Sequence, residues 1–185
     1  MKRFILGAAV AMAAVAAPAG AQVGFGIMGG LSLPYSTLKD YANSGWVGGA
    51  TLRIGAPLVP VHFRIDGTYG QMLGKTLTQP GPSTVKNDFT VYSATGNVQW
   101  NALGPVYLIG GVGYYGVQQK FTVTSPPLPS VTSTQSGFGY NAGIGVKLAM
   151  LFVEARWNDV SNGLVQSDGS KTSLQYVPIT VGIMF

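Results

Sequence analysis

TSLQYVPITVGIMF, residues 172–185, closes the chain on an aromatic residue. Counting back in twos from Phe185 gives Ile183, Val181, Ile179 and Val177, all apolar. Between them stand Met184, Gly182, Thr180, Pro178 and Tyr176, which are smaller, polar or mixed. Successive side chains on a strand point to opposite faces, so this segment has one continuous apolar face and one mixed face. An ordinary edge strand of a soluble sandwich is one way to use such a segment. The closing strand of a barrel whose outer wall meets lipid is the other.

The opposite end of the chain narrows the choice. Met1-Lys2-Arg3 is basic, residues 4–17 are apolar, and Ala19-Gly20-Ala21 is a small-x-small site. That order makes a secretory signal peptide, with cleavage expected after Ala21. The apolar run is shorter than the roughly 20 residues a spanning helix needs, and it is built largely of alanine. No cysteine follows the site, which excludes a lipoprotein. The expected organisation is therefore a signal peptide over 1–21 and a single domain over 22–185.

Composition sharpens the class. Apolar residues make up 46% of the chain and charged residues only 9%, against about 25% charged in soluble domains. Mean hydropathy is positive, yet nothing after the leader reads as a spanning helix. The chain carries 27 glycines and no cysteine, so it has neither a disulfide framework nor a thiolate metal site. Eleven basic and six acidic residues give +5, and losing Lys2 and Arg3 leaves +3. That charge is mild and scattered, so nucleic acid is not an expected partner. An exported, apolar, glycine-rich chain of strands is the composition of a transmembrane β-barrel.

Eight strand-like segments are read: 22–33, 45–55, 61–71, 88–100, 105–119, 137–149, 152–160 and 172–185. The connections alternate long and short, with long ones at 34–44, 72–87, 120–136 and 161–171. Short ones fall at 56–60, 101–104 and 150–151. Eight antiparallel strands then place all four long loops at one rim, as in barrels with long outer loops and short periplasmic turns. The fold class expected is all-β, an eight-stranded antiparallel up-and-down transmembrane β-barrel. Segment 105–119, PVYLIGGVGYYGVQQ, is apolar on both faces, and its orientation is left open.

Alternation in the other strands sorts the charges onto one face. Arg53, His62, Arg64, Asp66, Lys147, Glu154 and Arg156 share the face opposite Val61, Phe63, Ile65, Val153 and Ala155. Charges cost about 2–4 kcal/mol on the lipid side at mid-membrane, so this face is expected to line the lumen. A hairpin pairing Ala149 with Phe152 would set Lys147 opposite Glu154. Trp46, Tyr69, Trp100 and Trp157 are expected near strand ends, as aromatic girdles. Pro178 lacks a ladder donor and predicts a bulge or a missing bond in the closing strand. A soluble lipocalin-like barrel, with apolar residues inward, is the rival fold.

The segments YLIGGVGYYG, FGYNAGIGVKL, LFVEARW and VPITVGIMF resemble the outer-membrane β-barrel domain family, the small eight-stranded proteins of the outer-membrane protein A and X type. The resemblance is strongest from Tyr107 to Phe185. It implies insertion in the bacterial outer membrane, among outer-membrane lipid and lipopolysaccharide and with the barrel-assembly machinery as partner. Val177, Ile179, Val181, Ile183 and Phe185 resemble the family's C-terminal insertion signal. The family implies no shared catalytic residue and no cofactor.

Three functions follow, in descending order. The first is a structural or surface-interaction barrel, acting through its outer loops, with an unidentified ligand. The second is a narrow pore, with the inward charges as a selectivity ring; the favoured reading of those charges is instead a plug of ion pairs in which each charge finds a partner. The third is a lipid-modifying enzyme with His62 as general base. His62 follows the short 56–60 corner, at the periplasmic end, which argues against the third. No catalytic residue or metal ligand is assigned. Gly110-Gly111-Val112-Gly113 lacks the helix and the Lys-Ser/Thr of a phosphate loop.

Overall fold

A computed structural model describes residues 22–56, 59–78, 84–125, 130–165 and 171–185. The expected signal peptide lies outside these residues, as do 57–58 and the loop centres 79–83, 126–129 and 166–170. The strands are β1 (Gln22–Pro34), β2 (Ala42–Gly55), β3 (Val61–Gly74), β4 (Thr76–Thr78), β5 (Thr84–Leu103), β6 (Val106–Ser125), β7 (Val131–Leu148), β8 (Leu151–Val165) and β9 (Lys171–Met184). One helical turn, α1 (Leu38–Tyr41), interrupts the first long connection, where a plain loop was expected.

Short β4 pairs with β5 beside the end of β3. The other eight strands pair antiparallel, each with its neighbour in sequence, and β1 pairs with both β2 and β9. The barrel is closed and its wall has no free edge. Val23, Phe25 and Ile27 on β1 and Phe63 and Ile65 on β3 face outward, as do Ile179, Val181 and Ile183 on β9. Apolar residues are thus outside and charges inside, which removes the lipocalin alternative. Crossing is by strands, and no helix among the described residues is long and apolar enough to span a membrane.

On β6 the outward row reads Leu108, Gly110, Val112, Tyr114, then turns polar at Gln118 and Lys120. With Val106 and Gly116 at its ends the apolar part spans 11 residues, which fits the roughly 9–11 tilted residues of a membrane strand. The same row settles the open orientation: Tyr107, Ile109, Tyr115 and Val117 point inward. Trp46 contacts Tyr69, Tyr114 contacts Phe138, and Tyr140 contacts Trp157, with ring centroids 5.6–5.7 Å apart. These rings form a girdle on the loop side. Trp46 and Trp157 stand well inside their strands, because pairing continues past the membrane.

Three expectations need correction. Segments 72–87 and 120–136 are largely strand, since β5, β6 and β7 run on to Thr84, Ser125 and Val131. Their Thr, Ser and Gln residues read as loop, but in water they satisfy the ladder against one another. The β7–β8 hairpin turns at Ala149-Met150, pairing Leu148 with Leu151 and Lys147 with Phe152. Lys147 therefore does not oppose Glu154, whose partner is Gly145. Ala149 takes φ +54°, the left-handed geometry a two-residue hairpin turn requires, and this tightens the register by two residues. The 101–104 turn likewise shifts, to Gly104-Pro105, with Gly104 at φ +55°. At Pro178 the β8–β9 ladder skips Arg156 and Trp157, yet the register is the same on both sides. The proline breaks pairing there without a bulge.

Candidate functional site

Arg64-Ile65-Asp66 on β3 and Glu154-Ala155-Arg156 on β8 each put a basic and an acidic side chain two residues apart, hence on one face. Both strands run from the short-turn end toward the loops. Arg64 therefore meets Glu154 across the lumen, and Asp66 meets Arg156. Arg64 donates from Nη1 and Nη2 to Glu154 at 2.8 and 3.1 Å, and from Nε to Asp66 at 2.8 Å. Arg156 donates from Nη1 to Asp66 at 2.9 Å and from Nε to Glu154 at 3.0 Å, with Nη2 also on Glu154.

Neighbouring strands complete the set. Tyr107 Oη donates to Glu154 at 2.9 Å and Asn97 Nδ2 to Asp66 at 2.9 Å. The guanidinium of Arg64 lies 5.5 Å from the Phe152 ring centroid. All four charged residues are buried, Asp66 completely. Two positive and two negative charges cancel, and this balance is what makes their burial tolerable.

Of the seven inward charges singled out in the sequence, the structure unites these four. Arg53, His62 and Lys147 stand apart, at the short-turn end. His62 Nδ1 lies 3.3 Å from Asn101 Nδ2. The expectation that every inward charge finds a counter-charge is not met by Arg53 and Lys147, which form no ion pair among the described residues. The hairpin register is the reason for Lys147, and the cross-strand neighbour of Arg53 on β3 is Arg64.

A second closure lies toward the loops and was not read from the sequence. Met72, Phe89, Val91, Tyr115, Val117, Val160 and Leu174 gather inside the barrel, with Leu38 of α1 tucked among them. Their apolar character resembled that of the lipid face, so alternation alone did not mark them as inward. Between this cluster and the ion network is a cavity of about 30 Å³, bordered by Thr68, Ser93, Thr95, Asn158 and Tyr176. That is room for one or two waters and not for a solute. Among the described residues no three His, Asp or Glu side chains gather as metal ligands.

Val177, Ile179, Val181, Ile183 and Phe185 form the outward row of the closing strand and its end. Phe185 N–H donates to the Phe25 carbonyl at 2.6 Å, and Phe25 N–H returns a bond of 3.1 Å.

A closed barrel with an apolar outer wall, an aromatic girdle and a charged interior defines a transmembrane β-barrel. The family model of the outer membrane protein beta-barrel domain matches residues 4–185, and the chain belongs to that family. Solved structures with this fold include Neisserial surface protein A, at 13% identity and TM-score 0.55, covering 90% of this chain and 99% of that one. A major outer membrane protein from Thermus thermophilus is 12% identical at TM-score 0.57, with 89% and 100% covered. The attachment invasion locus protein Ail of Yersinia pestis, solved with the heparin analogue sucrose octasulfate, is 14% identical at TM-score 0.53, with 89% and 97% covered. Comparison with curated proteins returns no match.

Proposed function

We propose that this chain is a non-conducting barrel of the bacterial outer membrane whose specific contacts are made by its outer end, with no catalytic role. The observation that carries this is the double closure of the lumen. An eight-stranded barrel has an interior just wide enough for side chains. Here the buried Arg64–Asp66–Glu154–Arg156 network fills the middle and the apolar cluster fills the outer half. Solute passage would need both to open.

What remains for function is the exterior. Beyond the girdle, residues 116–125 of β6 continue for ten residues, which at about 3.3 Å each and a tilt near 40° rise roughly 25 Å above the membrane. Strands β5 and β7 flank them, and the described outward residues there are polar: Asp88 and Thr90 on β5, Gln118, Lys120 and Thr122 on β6, Thr132, Thr134 and Ser136 on β7. This paired wall is a firmer platform for a surface ligand than four free loops. Export through cleavage after Ala21, surroundings of lipopolysaccharide, and insertion by the barrel-assembly machinery through the Val177–Phe185 row belong to the same proposal.

Two experiments test it. Purified barrel in planar bilayers is expected to give no discrete channel events, and steady unitary conductance would overturn the closed lumen. The chain has no cysteine, so single-cysteine variants report sidedness. In intact cells Lys120→Cys is expected to react with an impermeant maleimide and Lys147→Cys to remain unlabelled. The reverse pattern would overturn the orientation.

A further inference from the structure

The mid-lumen network balances its own charge, whereas the short-turn end of the lumen does not. Arg53 on β2, His62 on β3 and Lys147 on β7 face that end, each part-buried. All three lie on the inward face near the short-turn ends of their strands, so they share one end of a narrow lumen. Among the described residues no carboxylate is bonded to Arg53 or Lys147. Asp66 and Glu154 are occupied by Arg64 and Arg156, and Asp40, Asp88 and Asp159 lie toward the loops.

The arrangement works against folding. Arg53 is directly opposite Arg64 in the β2–β3 register, and like charges so placed repel. No ion pair among the described residues offsets the charge of Arg53 or Lys147, so an anion from outside would be favoured there. The mouth also carries uncharged polar groups. Gln99 Nε2 donates to Asn101 Oδ1 at 3.1 Å, and Asn101 reaches on to His62. Short turns are the periplasmic side of such barrels.

We propose that the periplasmic mouth of the lumen is a binding site for a phosphate group, held between Arg53 and Lys147 with His62 and Asn101 beside it. Two cations that cannot neutralise each other match a dianion with several acceptor oxygens. The guanidinium fork of Arg53 suits phosphate oxygens bidentately, and Lys147 supplies a point charge. The phosphate is either free in the periplasm, alone or on a small solute, or is the headgroup of an anionic phospholipid. The proposal does not depend on whether the lumen conducts.

The test uses residues 22–185 folded in zwitterionic detergent and titrated calorimetrically with inorganic phosphate. Binding is expected, weakened at least tenfold in Arg53→Gln and in Lys147→Gln. Lys120→Gln, at the opposite end, is expected to bind as the parent does. Arg53→Lys keeps the charge without the fork and is expected to fall between. In phosphate-free buffer Arg53→Gln is expected to be no less resistant to urea than the parent, because it removes a repulsion. A heat-modifiable gel shift confirms that each variant is folded. If free phosphate does not bind, but phosphatidylglycerol in phosphatidylcholine vesicles raises the urea midpoint of the parent and not of the two lumen variants, the phosphate is the lipid's. The idea is overturned if the parent responds to neither probe, or if the response persists in Arg53→Gln/Lys147→Gln.

Discussion

Replacing Glu154 by Gln tests whether the ion network holds the barrel together. The carboxylate accepts from Arg64 Nη1 and Nη2, from Arg156 Nε and Nη2, and from Tyr107 Oη. Glutamine keeps the shape, but it brings one acceptor and an NH₂ that faces two guanidinium groups. Arg64 and Arg156, 1% and 6% exposed, would then share only Asp66. An exposed ion pair is worth at most about 1 kcal/mol, but stranding one member of a buried set costs about 3–5 kcal/mol. Glu154→Gln should lose that much. Glu154→Gln/Arg156→Gln removes one charge of each sign, restores the balance, and should lose less than the single variant. The assay is urea unfolding in lipid vesicles, read by tryptophan fluorescence and by the heat-modifiable shift. A single variant within about 1 kcal/mol of the parent, or a double variant worse than the single, would refute the charge-balance reasoning.

Four further outcomes are expected. Val112→Arg, on the lipid face at mid-belt, should cost about 2–4 kcal/mol in the same unfolding assay. Gly145→Ala would drive a methyl into the Tyr107 ring and should cost about 1–3 kcal/mol, whereas Gly96→Ala, whose new methyl meets nothing within 4 Å, should be near neutral by urea midpoint. Leu38→Ala should lose roughly 2–3 kcal/mol from the outer apolar cluster yet still show no channel events, because the ion network remains. Phe185→Asp should lower the yield of heat-modifiable barrel in cell membranes, and undiminished assembly would count against a role for the closing row.

Period-two alternation is a local property, so the sequence by itself determined the all-β class, the eight barrel strands and the inward or outward sense of seven of them. Charge burial is costly, so it also placed Arg64, Asp66, Glu154 and Arg156 on the lumen face. Partnership was another matter. Arg64 and Glu154 are 90 positions apart, and only barrel closure brings them across from each other. Segment 105–119 was illegible because its inward residues are apolar too. Tyr107 and Tyr115 turn inward where their hydroxyls reach Glu154 and Asn158, a decision made by neighbouring strands. The hairpin register depended on a left-handed φ at Ala149, which an alanine does not advertise. Strand ends were underestimated because Thr, Ser and Gln fit loop and water-facing ladder equally well. The closing row of Phe185, Ile183, Val181, Ile179 and Val177 announced a wall against lipid. Only the tertiary structure decided what fills the space behind it, because filling a barrel depends on which side chains from distant strands meet at the same height.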